Sequence, residues 1–278
     1  MSKVRNFFSQ QVTSRLSRAI RGYNYYKPKM KLLWDWIINT RSEFSNFSYD
    51  LSPLNRQILV EFLHTLTLCK REEIEGYLSE ILSDQSLISK MQSELEKRKL
   101  PYQQSGKFGR RVGWYILIRI LKPNRVIETG VHFGIGGSII CRALERNKRE
   151  GFEGHYIGTE LNKNHGFLVE TLFPNIGQIL YGDSIKNIES IRTPVDIFIN
   201  DSDHSPEYEM QEYLSSKNIF TSETLILGDN SHVSNSLINY SRLNQRLFVF
   251  FKEEPSDHWY LGAGIGLSFS KVPVVPYQ

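Results

Sequence analysis

Residues 125–138 read RVIETGVHFGIGGS, a short apolar run followed by a turn that contains four glycines. The run has the length and composition of a buried strand, and a helical pattern follows the turn. Glycines in such a turn let a ligand approach the backbone closely. The stretch therefore predicts a strand–turn–helix unit of an α/β fold, with a ligand at its turn.

Further apolar runs follow at intervals of roughly 20–30 residues, with helical stretches between them, as in successive βα units. They occupy residues 155–160, 178–181, 195–200, 223–228 and 246–251. The pattern closes with GAGIGLSFS at 262–270, a strand with no helix after it. We predict a Rossmann-like sheet of seven mostly parallel strands, with helices on both faces.

The part of the chain before this pattern is predicted to be helical. Apolar residues recur every four positions over about 3–21, with basic residues between them, which indicates an amphipathic helix. Residues 22–53 are aromatic-rich and irregular, and helical patterns resume over about 54–99. We therefore divide the chain into a helical N-terminal region, 1–104, and a second domain, 105–278.

Charge is concentrated in this N-terminal region. Residues 1–34 carry eight basic residues and no acid, whereas the whole chain has a net charge of +4. The rest of the chain is therefore slightly acidic, which excludes a globally basic nucleic-acid-binding protein. The basic helix would contact a membrane surface or an acidic partner, or it would dock on its own fold or on a second subunit.

Composition narrows the class of protein further. The chain is 40% hydrophobic and 23% charged, as in globular proteins with a sizeable core. No apolar run is long enough to span a bilayer, and the first residues do not resemble a secretory signal. Cys69 and Cys141 are too few for a disulfide framework or a cysteine-built zinc site. We expect a soluble, cytoplasmic protein that forms a homo-oligomer.

The first strand end favours a cationic cofactor. Ligands of a doubly wound sheet bind outside the carboxyl ends of its strands. Here Glu128 precedes Gly130 and Gly134, and the glycine spacing is not that of a dinucleotide-binding turn. A carboxylate repels a pyrophosphate but attracts an ammonium or sulfonium group, so the turn disfavours NAD.

The next two strand ends also carry polar residues. Glu160 ends the second strand, where a carboxylate can accept hydrogen bonds from both hydroxyls of a ribose. Asp183 and Ser184 follow the third strand, where they would contact an adenine edge or only cap a helix. Taken in order, the three strand ends predict a cofactor with a nucleoside part.

With these residues the chain resembles the class I S-adenosylmethionine-dependent methyltransferases over about residues 110–272. The resemblance implies S-adenosylmethionine (SAM) as cofactor and an antiparallel last strand. His132 replaces the usual middle glycine of the family, as in a branch of sugar and natural-product methyltransferases. The implied cofactor residues are Glu128, Gly130, His132 and Gly134 for the methionine part, Glu160 for the ribose, Asp183 and Ser184 for the adenine, and also Asp201.

The fourth and fifth strand ends predict a metal site. Asp201 follows the fourth strand, and Asp229 with Asn230 follows the fifth. Neighbouring strand ends would bring these three oxygen ligands to one point, which suits Mg²⁺. A bound cation lowers the pKa of a substrate hydroxyl. The alternative is that these residues only cap helices or form a turn.

His204 stands three residues after Asp201 and is the candidate general base for a hydroxyl proton. The Asp-Asn pair is similar to the metal-binding pair of catechol-type O-methyltransferases. The run DSDHS at 201–205 is similar to the rhamnosyl O-methyltransferase and cephalosporin hydroxylase-like group. Macrolide-sugar O-methyltransferases likewise place a histidine three residues beyond a metal-binding aspartate.

These likenesses imply methylation of a hydroxyl on a sugar or natural-product small molecule, assisted by Mg²⁺ and His204. Two alternatives stay open. One is a metal-independent N- or carboxyl-methyltransferase, and the other is a non-catalytic binding module whose working surface is the basic helix. We assign no functional role to His165.

Overall fold

The computed structural model describes residues 2–40, 48–100 and 107–271, with side chains described from Thr13 onward. Its α-helices are α1 (Ser2–Asn39), α2 (Pro53–Thr67), α3 (Arg71–Leu82), α4 (Gln85–Lys97), α5 (Arg111–Leu121), α6 (Ile135–Arg149), α7 (Phe167–Leu172), α8 (Ser184–Ser190), α9 (Pro206–Ser215) and α10 (Ser236–Leu243). Its strands are β1 (Arg125–Thr129), β2 (His155–Glu160), β3 (Gly177–Tyr181), β4 (Ile197–Asn200), β5 (Leu225–Gly228), β6 (Leu247–Lys252) and β7 (Gly264–Phe269). Short 3₁₀ turns cover Ser216–Asn218 and Asp229–His232.

The strands form one seven-stranded sheet in the order β3-β2-β1-β4-β5-β7-β6. Strands β1 to β5 are parallel, and β7 runs antiparallel to both β5 and β6. The predicted fold class is confirmed, including the antiparallel last strand. The chain order reverses beside β1, so the carboxyl ends of β1 and β4 border the crevice where ligands of such sheets bind.

Two hydrophobic cores cover the two faces of the sheet. Side chains alternate between them along each strand, as the strand period requires. In β1, Val126 packs into the larger core and Ile127 into the smaller one. Helices α2 to α7 contribute to the larger core, and α8 to α10 pack against the other face. The N-terminal helices α2 to α4 therefore share one continuous core with the sheet. The predicted boundary at 104/105 lies outside the described residues.

The first helix is longer than the predicted span of about 3–21. It continues to Asn39, through part of the segment predicted to be irregular. The reason is that apolar residues keep their helical spacing beyond Arg21, and Pro28 removes a backbone donor without ending the helix. The predicted irregular structure over 41–47 lies outside the described residues.

Helix α1 touches the rest of the protein on one side. The Trp36 ring lies 5.1 Å from that of Trp259, and Lys29 Nζ donates a hydrogen bond to the carbonyl of His258 at 2.9 Å. The predicted contact of α1 with a membrane or a second subunit stays a prediction at this point. Among the helices whose residues are described, none is long and apolar enough to cross a membrane.

Candidate active site

The carboxyl ends of the parallel strands open into a cavity of about 620 Å³. The structure brings most of the predicted site residues to its wall. Gly134 and Asn230 are not among the lining residues. Those that line it are Glu128, Gly130, His132, Glu160, Asp183, Ser184, Asp201, His204 and Asp229.

The turn after β1 has room only for glycine at one position. Gly130 has φ +78°, and a Cβ atom there would lie 2.2 Å from the carbonyl oxygen of Asp201. Gly134 has φ +98° and precedes the first residue of α6. These glycines hold the turn close to the end of β4, so the cavity wall at this point is bare backbone that a ligand can approach.

Glu128 lies at the base of this turn and is 1% exposed. The hydroxyl of Tyr156 donates a hydrogen bond to its Oε2. Burial raises the pKa of Glu128 to about 7, against the opposing effects of the Tyr156 hydrogen bond and the Arg111 charge. This carboxyl group therefore changes its charge close to neutral pH.

Glu160 holds the loop on the other side of the turn. Its Oε2 accepts a hydrogen bond from the His132 amide at 2.7 Å, and its Oε1 accepts one from the Asn162 amide at 2.9 Å. A carboxylate has about four acceptor positions, so about two remain for a ligand in the cavity.

His165 is a site residue that the sequence analysis passes over. It lines the cavity, and its Nδ1 lies 3.5 Å from Glu160 Oε1. Its ring centroid is 4.7 Å from that of His132. Burial, together with the nearby His165, lowers the pKa of His132. No motif points to His165, because only the fold of the loop after β2 brings it here.

Asp183 and Ser184 both line the cavity and belong to a hydrogen-bond network. Asp183 Oδ1 caps α8 by accepting from the Lys186 amide at 3.0 Å, and Oδ2 accepts from the Tyr208 hydroxyl at 3.3 Å. The Ser184 hydroxyl donates to buried Glu212. Capping and a place in the cavity wall are therefore compatible here, although the sequence analysis treats them as alternatives.

Asp229 is paired with an arginine that the sequence analysis does not single out. Arg110 Nε and Nη2 donate to the two carboxylate oxygens of Asp229, the latter at 2.7 Å. Burial alone would raise the pKa of Asp229, but the Arg110 charge keeps it below its usual value. Burial and the negative charge of Asp229 raise the pKa of neighbouring Asp201 well above its usual range. The pKa of Asp201 is therefore the higher of the two.

His204 is oriented by Asn230. The amide oxygen of buried Asn230 is hydrogen-bonded to His204 Nδ1, and its Nδ2 donates to the Asp203 carbonyl at 3.5 Å. An amide oxygen only accepts, so Nδ1 carries the proton and Nε2 is left as an acceptor. Asn230 thus supports the predicted base in this arrangement and does not face the predicted metal position.

The residues present do not fit a magnesium ion in this arrangement. Both oxygens of Asp229 bind Arg110, and the side-chain oxygen of Asn230 binds His204. This leaves Asp201 as a single carboxyl ligand. Across the described parts of the chain, no group of three His, Cys, Asp or Glu side chains is placed to hold a metal ion.

Arg110 and Arg111 are further functional candidates that sequence reasoning missed. Both line the cavity at the start of α5. Within the described structure, Nε of Arg111 is buried and makes no hydrogen bond. A weak signal existed, since two consecutive arginines precede a helix that is otherwise almost entirely apolar. The pair was overlooked because it borders a segment with the composition of a linker.

Residues 127–231 match the family model Methyltransf_24, described as a methyltransferase domain. This segment is a methyltransferase domain, and the sheet that contains it has the Rossmann-like fold of class I SAM-dependent methyltransferases. The match covers the strand ends from β1 to β5, and so it contains all of the predicted cofactor and metal residues. Arg110 and Arg111 lie before it. A search of curated proteins finds no match to this methyltransferase.

Solved structures share the fold of this methyltransferase at low sequence identity. A candidate O-methyltransferase from Klebsiella pneumoniae superimposes with a TM-score of 0.53 at 15% identity, covering 75% of this chain and 98% of that one. A Podospora anserina methyltransferase, solved with bound S-adenosylhomocysteine (SAH), has a TM-score of 0.50 at 12% identity and covers 72% and 94%. At such identities the likeness concerns the fold alone.

Proposed function

We propose that this methyltransferase transfers the methyl group of SAM to a hydroxyl oxygen of a small molecule such as a sugar or a natural product. The observation that carries the proposal is His204 in the cavity wall, with Nδ1 bound to Asn230 and Nε2 left as an acceptor. A neutral hydroxyl is a poor nucleophile, so its methylation needs a group that removes the proton. The Klebsiella pneumoniae structure, a candidate O-methyltransferase, agrees with this reaction class.

The residues of the β1 turn fit the amino-acid end of SAM. The bare backbone at Gly130 provides the close approach, and Glu128 would pair with the ammonium group. Arg111, whose Nε is buried without a hydrogen bond in the described structure, would pair with the carboxylate. Glu160 would bind the ribose through its remaining acceptor positions. Asp183 and Ser184 would contact the adenine.

When bound, SAM supplies an electrophilic methyl group. The cavity walls would hold the acceptor hydroxyl in line with it, and positioning of this kind is a large part of catalysis. As the oxygen–carbon bond forms and the carbon–sulfur bond breaks, His204 Nε2 would take the hydroxyl proton. Because the predicted metal ligands do not fit Mg²⁺ in this arrangement, no step is assigned to a metal.

Two measurements test the proposed function in order. Calorimetric titration with SAH should show binding, and NAD should show none. Transfer of a labelled methyl group from SAM to a panel of sugars, phenols, amines and carboxylic acids should then label hydroxyl acceptors. Transfer only to amines or carboxylates would reject O-methylation. A folded protein that binds no SAH would favour a non-catalytic binding module.

The raised pKa of Glu128 predicts that cofactor affinity depends on pH. The carboxyl is neutral below about pH 7 and charged above it, and only the charged form attracts the cofactor ammonium. We expect SAH affinity to rise roughly tenfold between pH 6 and pH 8 and then to level off. Calorimetric titrations at several pH values in buffers of matched ionic strength measure this change.

The matched control is Glu128→Gln, which keeps the size of the side chain but cannot ionise. It should bind SAH more weakly than the wild type, with the step near pH 7 removed. A wild-type affinity that stays constant from pH 6 to pH 8 would contradict the assigned role of Glu128.

A further inference from the structure

The guanidinium of Arg110 is held in the cavity wall by two carboxylates. Besides its two hydrogen bonds to Asp229, its Nη1 lies 3.7 Å from Glu253 Oε1. Glu253 is itself fixed, because its Oε1 accepts from the Tyr49 hydroxyl at 2.6 Å and from the Ala263 amide at 2.7 Å. Arg110 is therefore tied to two carboxylates and has little freedom to leave.

The position of this guanidinium matters for the binding of a metal ion. Arg110 stands at the ends of β4 and β5, where the sequence predicts a divalent cation bound by Asp201, Asp229 and Asn230. A second cation bound to the same aspartates would meet the repulsion of the guanidinium at close range. The pocket already balances its buried negative charge with a fixed positive one.

We infer that Arg110 takes the place of the predicted metal ion, so that this methyltransferase works without a divalent cation. The inference rests on the proposed function for its catalytic consequence, since a fixed positive charge beside the acceptor would stabilise developing alkoxide character. Its structural part, the exclusion of a cation by the guanidinium, stands independently of the reaction.

Direct metal titration tests this inference. Wild-type protein with bound SAH, titrated with Mn²⁺ and followed by electron paramagnetic resonance, should show no saturable site. Arg110→Met removes the charge and leaves the carboxylates in place. It should bind Mn²⁺ at least roughly tenfold more tightly than the wild type, because a unit positive charge close to the ligands is gone. The double variant Arg110→Met/Asp229→Asn should lose that site.

Saturable Mn²⁺ binding to the wild type that Asp229→Asn abolishes would overturn the inference. If Arg110→Met does not fold, the wild-type titration still decides, and Arg110→Lys, which keeps the charge, should also bind no Mn²⁺. Once an acceptor is found, turnover should be unchanged in EDTA. SAH binding is measured in parallel. Loss of SAH binding would contradict the proposed function, whereas Mn²⁺ binding to the wild type would contradict the inference about Arg110.

A second, independent feature is an exposed apolar stripe along α1. It consists of Leu16, Ile20, Tyr23, Met30, Trp34 and Ile37, spaced by three, four or seven residues on one face of the helix. These side chains are between 45% and 60% exposed. Trp36 and Lys29, which contact the loop before β7, lie on the other side of the helix. The stripe therefore points away from the rest of the protein.

The positive charge of α1 indicates which kind of partner binds the apolar stripe. From Thr13 to Asn39 the helix carries six basic residues and one acidic residue, Asp35. Pairing with the same helix of a second copy would bring like charges together, which is unfavourable. A lipid surface with negative headgroups accepts the apolar stripe together with Lys27 and Lys31, which lie on the same face of the helix. We propose that α1 binds the surface of an anionic membrane.

Vesicle co-sedimentation of the full chain tests this proposal. The protein should bind vesicles of phosphatidylcholine with one third phosphatidylglycerol, and not phosphatidylcholine alone. Leu16→Glu/Trp34→Glu should weaken binding at least roughly tenfold, because two apolar contacts are lost and two charges oppose the headgroups. Leu243→Glu, at an exposed position of α10, is the matched control and should bind normally. No binding of the wild type, or a dimer that the double substitution dissociates, would overturn the proposal.

Discussion

Replacing His204 with alanine is expected to lower the turnover number by roughly 10²–10⁴-fold, the usual contribution of a general base. SAH affinity should change little, because His204 is not among the predicted cofactor contacts. Initial rates with a hydroxyl acceptor, together with calorimetric SAH titration, measure both quantities.

Two further variants sharpen this experiment. His155→Ala is the matched control, because His155 is exposed at the opposite end of β2 from the cavity, and it should keep wild-type turnover. Asn230→Leu removes the acceptor for His204 Nδ1 and should lower turnover less than His204→Ala, without a change in SAH affinity. A His204→Ala enzyme with wild-type turnover from pH 6 to pH 9 would rule out the base.

Replacing Glu160 with alanine is expected to weaken SAH binding by at least roughly 100-fold. Two charge-assisted hydrogen bonds to the ribose would be lost, each contributing about 1.5–3 kcal/mol in typical cases. The loop contacts to the His132 and Asn162 amides would be lost with them. Calorimetric titration with SAH at pH 8, where Glu128 is charged, gives the difference in affinity.

Glu160→Gln separates the two effects of this substitution. It keeps one acceptor oxygen for the loop but loses the charge, so its affinity should fall between the wild type and Glu160→Ala. Glu189→Ala, at an exposed position of α8, should leave SAH affinity unchanged. Equal affinities for Glu160→Ala and the wild type would remove Glu160 from the cofactor site.

The fold was predictable because its signals are local. Each strand is a short apolar run between turn residues, and the observed bounds of β2 are those of the predicted run at 155–160. The carboxyl ends of such strands collect ligands by topology, so Glu128, Glu160 and Asp201 could be placed at one cavity without coordinates. The extent of α1 was missed because tyrosines and Pro28 suggest irregular structure when each is judged alone.

The partners of the site residues were not predictable, because they come from distant parts of the chain. Arg110 and Asp229 are 119 residues apart, and His204 and Asn230 are 26 apart. The sequence of an Asp-Asn pair at a strand end does not show whether its side chains bind a metal, an arginine or a histidine. Only packing decides among these, and here it pairs each member with a different side chain.

The core that α2 to α5 share also limits which segments of this enzyme can be exchanged in chimaeras. Tyr49, before α2, fixes Glu253, and its carbonyl accepts a hydrogen bond from the Gly109 amide at 2.9 Å, directly before Arg110. The segment ahead of the methyltransferase domain therefore helps to build the cavity wall at Arg110. It is not an interchangeable module, because a chimaera joined between α4 and α5 would take Tyr49 from one parent and Glu253 from the other.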